Sequence, residues 1–558
     1  MTTALNGVPA AVADAIEIAA GTTGVFGSAN SAELDEREVF PAEECSLLDA
    51  CGLARVYVPP DLGGSPGGLP DLVEALRGVA RRDLTVAVAH GKTFLGAASV
   101  WVAGSPAQRE YLARLVLDGA VVSWGLTEPG RGSDLLAGQL TATRTPDGWR
   151  LDGTKWPINN ATRGRFICVL ARTDPLGGVR GFSLFLVDKR ALASGTWQCL
   201  PKEPTHGIRG ADISGIRFTG AEVPEPALVG RPGDGVNTVL LALQLTRTAC
   251  SALSLGAGEH SLRLAYEFAA GREMHGTTLL RLPLARRTLG AAAAALALAE
   301  DAAFVAARAA HCLPGEMSVV SAVVKATVPS LVQQVIDELA ELIGARGFLL
   351  GHHADGMFQK LDRDHRIVGI FDGSTAVNRS ALIGLFPLLA TAYRAGRYDS
   401  AGLATTADPA APLPGGDFGG LRLLTRVGCS VVQGLPAAVT RLDRLPDGTT
   451  RRRIRPLAAD LLAETEAVVD AMGALGAVRP TGYDLPAAGF AVARRYELCF
   501  AGAAALHRWL AEPDEDGATR LAAALCRALE QLRPGVETPD PDEYERFLTA
   551  VEAGGGPR

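Results

Sequence analysis

At 558 residues, 47% hydrophobic and 21% charged, the chain is long enough for several domains and has ample apolar material for a core. A net charge of -7 supplies no basic face for phosphates and argues against nucleic acid as a partner. Nine cysteines, scattered singly from Cys45 to Cys526, predict reduced and mostly buried thiols, not a disulfide framework or a thiolate metal site.

Residues 1–35 are rich in Ala, Gly, Ser and Thr with weak periodicity and read as a flexible lead-in. No basic residue precedes Arg37, so the charged start of a secretory signal is missing. Residues 36–120 carry helical patterning, punctuated by the turn Pro59-Pro60-Asp61-Leu62-Gly63-Gly64. Residues 121–235 change to short apolar runs at 149–152, 166–171, 182–187 and 213–218, bounded by Gly, Pro and Asp, which is the grammar of a small β domain. Long Ala-rich helices return over 236–395, and the most apolar of them, 291–310, is broken by Glu300, Asp301 and Arg308 too early for a membrane span. Residues 396–420, dense in Gly, Pro, Ala and Thr, read as a linker. Amphipathic runs at 456–476, 487–510 and 517–532 make 421–558 an extra helical domain. The expectation is a cytoplasmic protein without an integral membrane segment.

The run Leu126-Thr127-Glu128-Pro129-Gly130-Arg131-Gly132-Ser133-Asp134 is no helix interior or central strand. It reads as a tight loop whose backbone N–H groups and hydroxyls can cradle an anion or a polar ring edge. It closely resembles the L-T-E-P-x-x-G-S-D signature of the acyl-CoA dehydrogenase superfamily, where this loop lies against FAD and the substrate thioester. Three later stretches are similar to the same family. Arg272-Glu273-Met274-His275-Gly276 resembles its R-x-x-F-G motif, Gly344-Ala345-Arg346-Gly347-Phe348 its G-G-x-G-[YF] loop, and Arg363-Asp364 with Ile370-Phe371-Asp372-Gly373-Ser374-Thr375 its R-D and I-Y-E-G-T ending. The resemblance covers residues 36–395. It implies an α+β, mainly α fold: an N-terminal helical domain, a middle β domain and a C-terminal helical bundle. The residues beyond are similar in pattern to the helical module of very-long-chain members, and an unrelated helical appendage is the alternative.

The resemblance implies a set of FAD contacts: Trp124, Leu126, Thr127, Ser133, Ile158, Asn159, Glu341, Gly344 and Ser374, with Arg272 reaching the pyrophosphate across a subunit interface. It places the substrate against Ser133, Thr246, Arg247 and Gly373. Two departures stand out. Where the family has W-I-[TS]-N, this chain reads Pro157-Ile158-Asn159-Asn160, with Trp156 one residue early and so turned to the other strand face; Asn159 could still donate to flavin through its amide. The family's flavin-facing glutamines read as Pro283 and Glu341.

The implied base is Asp372, standing where the family has Glu; the alternative family position, Thr246, supplies none. A bare helix N-cap is the non-catalytic reading of Asp372. The implied activity is FAD-dependent α,β-dehydrogenation of an acyl-CoA or acyl-carrier-protein thioester, with a flavoprotein or oxygen as electron acceptor and a homo-oligomer, dimer favoured. Two alternatives stay open: a nitroalkane-oxidase-like flavin oxidase of a small carbon acid, which the Asp favours, and a binding or scaffold protein of the same fold with impaired chemistry. His352-His353 lacks metal-ligand spacing, and the basic run 451–455 reads as a solvated face or a patch for an acidic carrier protein.

Overall fold

Val12, Ile16 and Ala19 fall on one face of the helix Gly7–Thr22, and all three are buried. This computed structural model describes residues 7–22, 24–415, 418–475, 485–535 and 542–557. The expected flexible lead-in is therefore corrected: a second helix follows at Ser28–Glu36, and the first packs on the helix Leu69–Ala80. Alanine gives these residues helix propensity, and the i, i+4, i+7 stripe gives the helix something to bury.

Contact density divides the chain into two units, Leu5–Thr246 with Gly415–Leu423 and Arg247–Pro414 with Leu424–Arg558. The first holds the N-terminal helices and the sheet. Its central helix, Leu84–Ala103, is buried on nearly every side and begins at Asp83, whose carboxylate accepts the Thr85 N–H at 2.8 Å. The strands are β1 (Val122–Gly125), β2 (Thr141–Thr145), β3 (Gly148–Asn159), β4 (Phe166–Arg172), β5 (Phe182–Asp188), β6 (Trp197–Leu200), β7 (Ile213–Pro224) and β8 (Leu228–Val229). They lie in the order β6-β7-β3-β2-β4-β5-β8, with β1 parallel to β4. The inward positions Leu151, Ile167, Val169, Phe185, Ile216 and Phe218 form the sheet's core.

In the second unit, long helices at Ser251–Gly271, Pro283–Cys312, Met317–Ile343 and Thr375–Arg394 are joined by those of the C-terminal extension: Thr449–Leu475, Ala487–Ala511, Glu515–Leu532 and Asp542–Ala553. The expected linker is corrected too. It contains the helix Ser400–Ala407, capped by Asp399, and Arg308 donates to the carbonyls of Thr405, Thr406 and Ala411 at 2.9, 3.1 and 2.7 Å. The extension is continuous with the bundle's core. Asp301, 1% exposed, takes both Arg508 and Arg520 at 2.7 Å, and Arg379 grips buried Glu497 through two bonds of 2.9 Å. Gly290 lets the Tyr544 backbone lie directly on its helix. The basic run is spent inside this unit: Arg453 pairs with Glu543, and Arg451 and Arg455 pair with Asp443.

Among the described residues, five helices are long and apolar enough to cross a membrane by length and composition, including Pro283–Cys312, which contains the stretch 291–310 expected to be too interrupted. In four of them 83–89% of the apolar window is buried inside the protein; in Thr375–Arg394 it is 39%. All nine cysteines are free, and no cluster of metal-ligating side chains occurs among the described residues.

Replacing Asp301 by Ala would remove the buried carboxylate that Arg508 and Arg520 share and leave them Glu300 as their common partner. The expected cost is about 3 kcal/mol, read as a lower thermal midpoint, and an unchanged midpoint would show that this buried charge does not help to hold the extension.

Candidate functional site

In the first unit the loop 126–134 is held from beneath by one buried ion pair. Lys155, 1% exposed on β3, donates to Glu128 at 2.7 Å and to the Leu126 carbonyl at 3.1 Å. Glu128 also accepts the N–H groups of Gln139 and Leu140 at 2.6 and 3.0 Å. Burial alone would raise its pKa, but the Lys155 charge and these donors outweigh it and hold the carboxyl below the usual carboxylate range. The Trp156 N–H donates to the Thr127 carbonyl at 2.9 Å, tying the loop to β3 a second time. Thus Leu126 and Thr127 sit half-buried on a fixed backbone, while Ser133 is exposed beside Asp134, whose side chain caps the turn Leu135–Ala137.

The departures in β3 have a local explanation. The Trp156–Pro157 peptide is cis, and the pairing of β3 with β7 shifts register between Lys155 and Ile158. Trp156 turns to Glu203, donating to it through Nε1 at 2.8 Å. The Ile158 side chain belongs to the sheet core, which leaves only its backbone for a cofactor. Asn159 donates one of its two amide hydrogens to the Val88 carbonyl at 3.1 Å. It also keeps an acceptor: Asn159 Oδ1 is buried without a partner among the described residues, and so is the Trp124 indole N–H. Orphaned buried polar atoms at this loop fit a ligand with polar ring edges, such as FAD.

In the second unit the base candidate lies in the turn between the helices Met357–His365 and Thr375–Arg394. Asp372 and Gly373 both take left-handed backbone conformations, with φ of 54° and 94°. The N-cap of the following helix is Ser374, which accepts the Val377 N–H at 3.3 Å; Asp372 is not the cap. Ser374's hydroxyl oxygen is thus already engaged. Arg247 donates from Nε to the Asp372 carbonyl at 3.2 Å, and burial pulls its guanidinium down to about 10 despite the neighbouring Asp372 charge. The Cys250 sulfur lies 4.0 Å from the Asp372 carboxylate. Arg247, Asp372, Gly373 and Ser374 therefore converge as expected.

The remaining residues are placed as follows. Thr246, in the first unit, is buried with its hydroxyl unpartnered among the described residues. Arg272 ends the helix Ser251–Gly271, next to a two-residue hairpin whose turn, His275-Gly276, has φ of 50° and 80°. Glu341 is exposed in the last turn of Met317–Ile343, and Gly344 ends that helix at φ 67°. Pro283 is simply the first residue of its helix, where a missing N–H costs nothing. Lys155 and Lys325 escaped the sequence reading. Lys325 is a lone lysine among apolar neighbours, and that pattern is itself a signal, because a buried ammonium must be paired; Lys155, after Asp152-Gly153-Thr154, carries no such mark.

In Glu128→Gln the buried Lys155 loses its counter-charge, and a destabilisation of about 3 kcal/mol at pH 7 is expected, with weaker FAD retention. The depressed pKa of Glu128 adds stability that is fully present above its unfolded value of 4.5 and is lost as pH falls below it. The parent should accordingly lose stability on acidification more steeply than the Gln variant; parallel acid-unfolding curves would contradict this.

The three parts of the chain match the N-terminal, middle and C-terminal domains of acyl-CoA dehydrogenase at residues 27–119, 123–221 and 233–383. Probable acyl-CoA dehydrogenase FadE25 of Mycobacterium tuberculosis is 27% identical over 353 residues, covering 63% of this chain and 88% of that protein. An acyl-CoA dehydrogenase from Bacillus anthracis, solved in complex with FAD, superimposes with a TM-score of 0.72 at 18% identity over 99% of this chain and 89% of its own. The prolyl acyl carrier protein oxidase AnaB superimposes with a TM-score of 0.61 at 20% identity, covering 67% of this chain and 98% of its own. The near-complete overlap with the Bacillus structure includes the C-terminal helices, so the extension is a shared architecture of this fold. The chain belongs to the acyl-CoA dehydrogenase family, FAD-dependent oxidoreductases acting on CH–CH groups.

Proposed function

We propose that this protein dehydrogenates the α,β bond of an acyl thioester, carried by coenzyme A or by an acyl carrier protein, with Asp372 as the base. The observation that carries the reading is the turn at Asp372: a carboxylate on left-handed backbone, followed by a separate helix cap and bonded through its own carbonyl by Arg247. A carboxylate serving only as a cap would stand at Ser374. When bound, FAD accepts the β-hydrogen with its electron pair. The chain's own part is to take the α-proton onto the Asp372 carboxylate as the C=C bond forms, and to hold the cofactor through the loop 126–134.

The shorter side chain sets a constraint. Asp reaches about 1.5 Å less far than Glu, while proton transfer needs heavy atoms about 3 Å apart. The substrate's α-carbon must therefore come closer to this turn than a glutamate would require. The names of the similar proteins support both thioester classes, since FadE25 is a probable acyl-CoA dehydrogenase and AnaB acts on a carrier protein. A cytoplasmic homodimer passing electrons to a flavoprotein or oxygen completes the proposal, with Arg272 reaching the cofactor of the second subunit.

Asp372→Asn should retain FAD and slow anaerobic flavin reduction by the best of butyryl-, octanoyl- and palmitoyl-CoA by about 1,000-fold. Turnover equal to the parent's would remove Asp372 as the base.

A further inference from the structure

Lys325 is 1% exposed in the apolar stretch Val319–Val328 of the helix Met317–Ile343. Its ammonium donates to the Val368 carbonyl at 2.7 Å and to the Gly373 carbonyl at 3.2 Å, and it lies 5.5 Å from the Phe371 ring centre. Both hydrogen bonds thus go to the turn that carries Asp372, one at each end of it. Other donors act on the same turn: Arg247 on the Asp372 carbonyl, and Asn378 Nδ2 on the Gly373 and Ser374 carbonyls at 2.9 and 3.0 Å.

Burying an ammonium is costly, and burial does weaken this lysine's hold on its proton, against the opposing pull of Cys250 and Asp372. A methionine would fill the same space without that cost. Two bonds to backbone carbonyls of one left-handed turn are therefore the distinctive thing this side chain supplies. An Asp base has little reach to spare, so the turn under it has to be still. A misplacement of about 1 Å can cost about 100-fold in rate.

We propose that Lys325 is a positioning residue for proton abstraction, tying together the two ends of the turn 368–373 so that Asp372 is presented at one fixed place. The inference rests on Asp372 as the base. It makes the lysine neither a base nor a proton donor; it acts through the backbone of the turn.

The test uses the full-length protein loaded with FAD, comparing Lys325→Met, Lys325→Arg, Lys325→Gln and Asp372→Asn with the parent. Hydrogen exchange is read on a peptide spanning 366–375, with the helix Pro283–Cys312 as internal reference. In Lys325→Met, exchange of the turn amides is expected to rise about tenfold while the reference helix is unchanged. Flavin reduction by the best of the three CoA thioesters should fall about 100-fold with KM changed less than about threefold. Lys325→Arg, which keeps charge and donors, should recover part of both losses.

Exchange at the parental rate in the turn, or flavin reduction within about threefold of the parent, overturns the proposal. Should Lys325→Met not fold, the Gln and Arg variants decide by the same two readouts, and parental behaviour in both overturns it. A dead Asp372→Asn beside a parental Lys325→Met removes this proposal alone. A fully active Asp372→Asn removes the base assignment and this proposal with it.

Discussion

The turn at Asp372 is held in place by its neighbours, and the proposed role of this short carboxylate as a base depends on that backbone being immobile. Its two consecutive left-handed residues are a conformation that a non-glycine residue adopts at a cost of about 1–3 kcal/mol. The surroundings over-determine it. Ser374 starts the next helix, Arg247 and Asn378 take the carbonyls of Asp372, Gly373 and Ser374, and Lys325 brackets the segment from Val368 to Gly373. Two of these donors are buried cations, and Asp372 is a carboxylate whose charge both feel.

The cofactor loop follows the same logic with opposite roles. There the buried carboxylate, Glu128, is structural, and its partner Lys155 also holds the Leu126 carbonyl. Pairing lets both charges be buried, and the donors from Gln139 and Leu140 complete the carboxylate's hydrogen bonding. The unpartnered Trp124 N–H and Asn159 Oδ1 are the groups left over for a ligand.

Much of this was legible in the chain, for identifiable reasons. Ordered motifs such as Leu126–Asp134 and Phe371–Thr375 declare loops whose composition admits few backbones, and the alternation of helical and strand periodicity gave the three-part order. The misses have physical causes. The first 22 residues have weak overall periodicity, yet Val12, Ile16 and Ala19 suffice for a packed helix. The Gly- and Pro-rich stretch after residue 396 is ordered by Arg308, an arginine nearly a hundred residues earlier that no local pattern could connect to it. The partner of Asn159, Val88, lies on a helix some seventy residues earlier that no local pattern connects to it. Lys325 breaks an apolar run, a signal that marks burial but not the partner.

The most direct test of the central claim is the absorption spectrum of the purified protein with FAD, recorded anaerobically before and after adding acyl-CoA and acyl-carrier-protein thioesters of increasing chain length. Dehydrogenation through Asp372 predicts a stoichiometric flavin band that bleaches with at least one thioester as an enoyl product appears in equal amount. A fully occupied flavin that no thioester of either class reduces would contradict it.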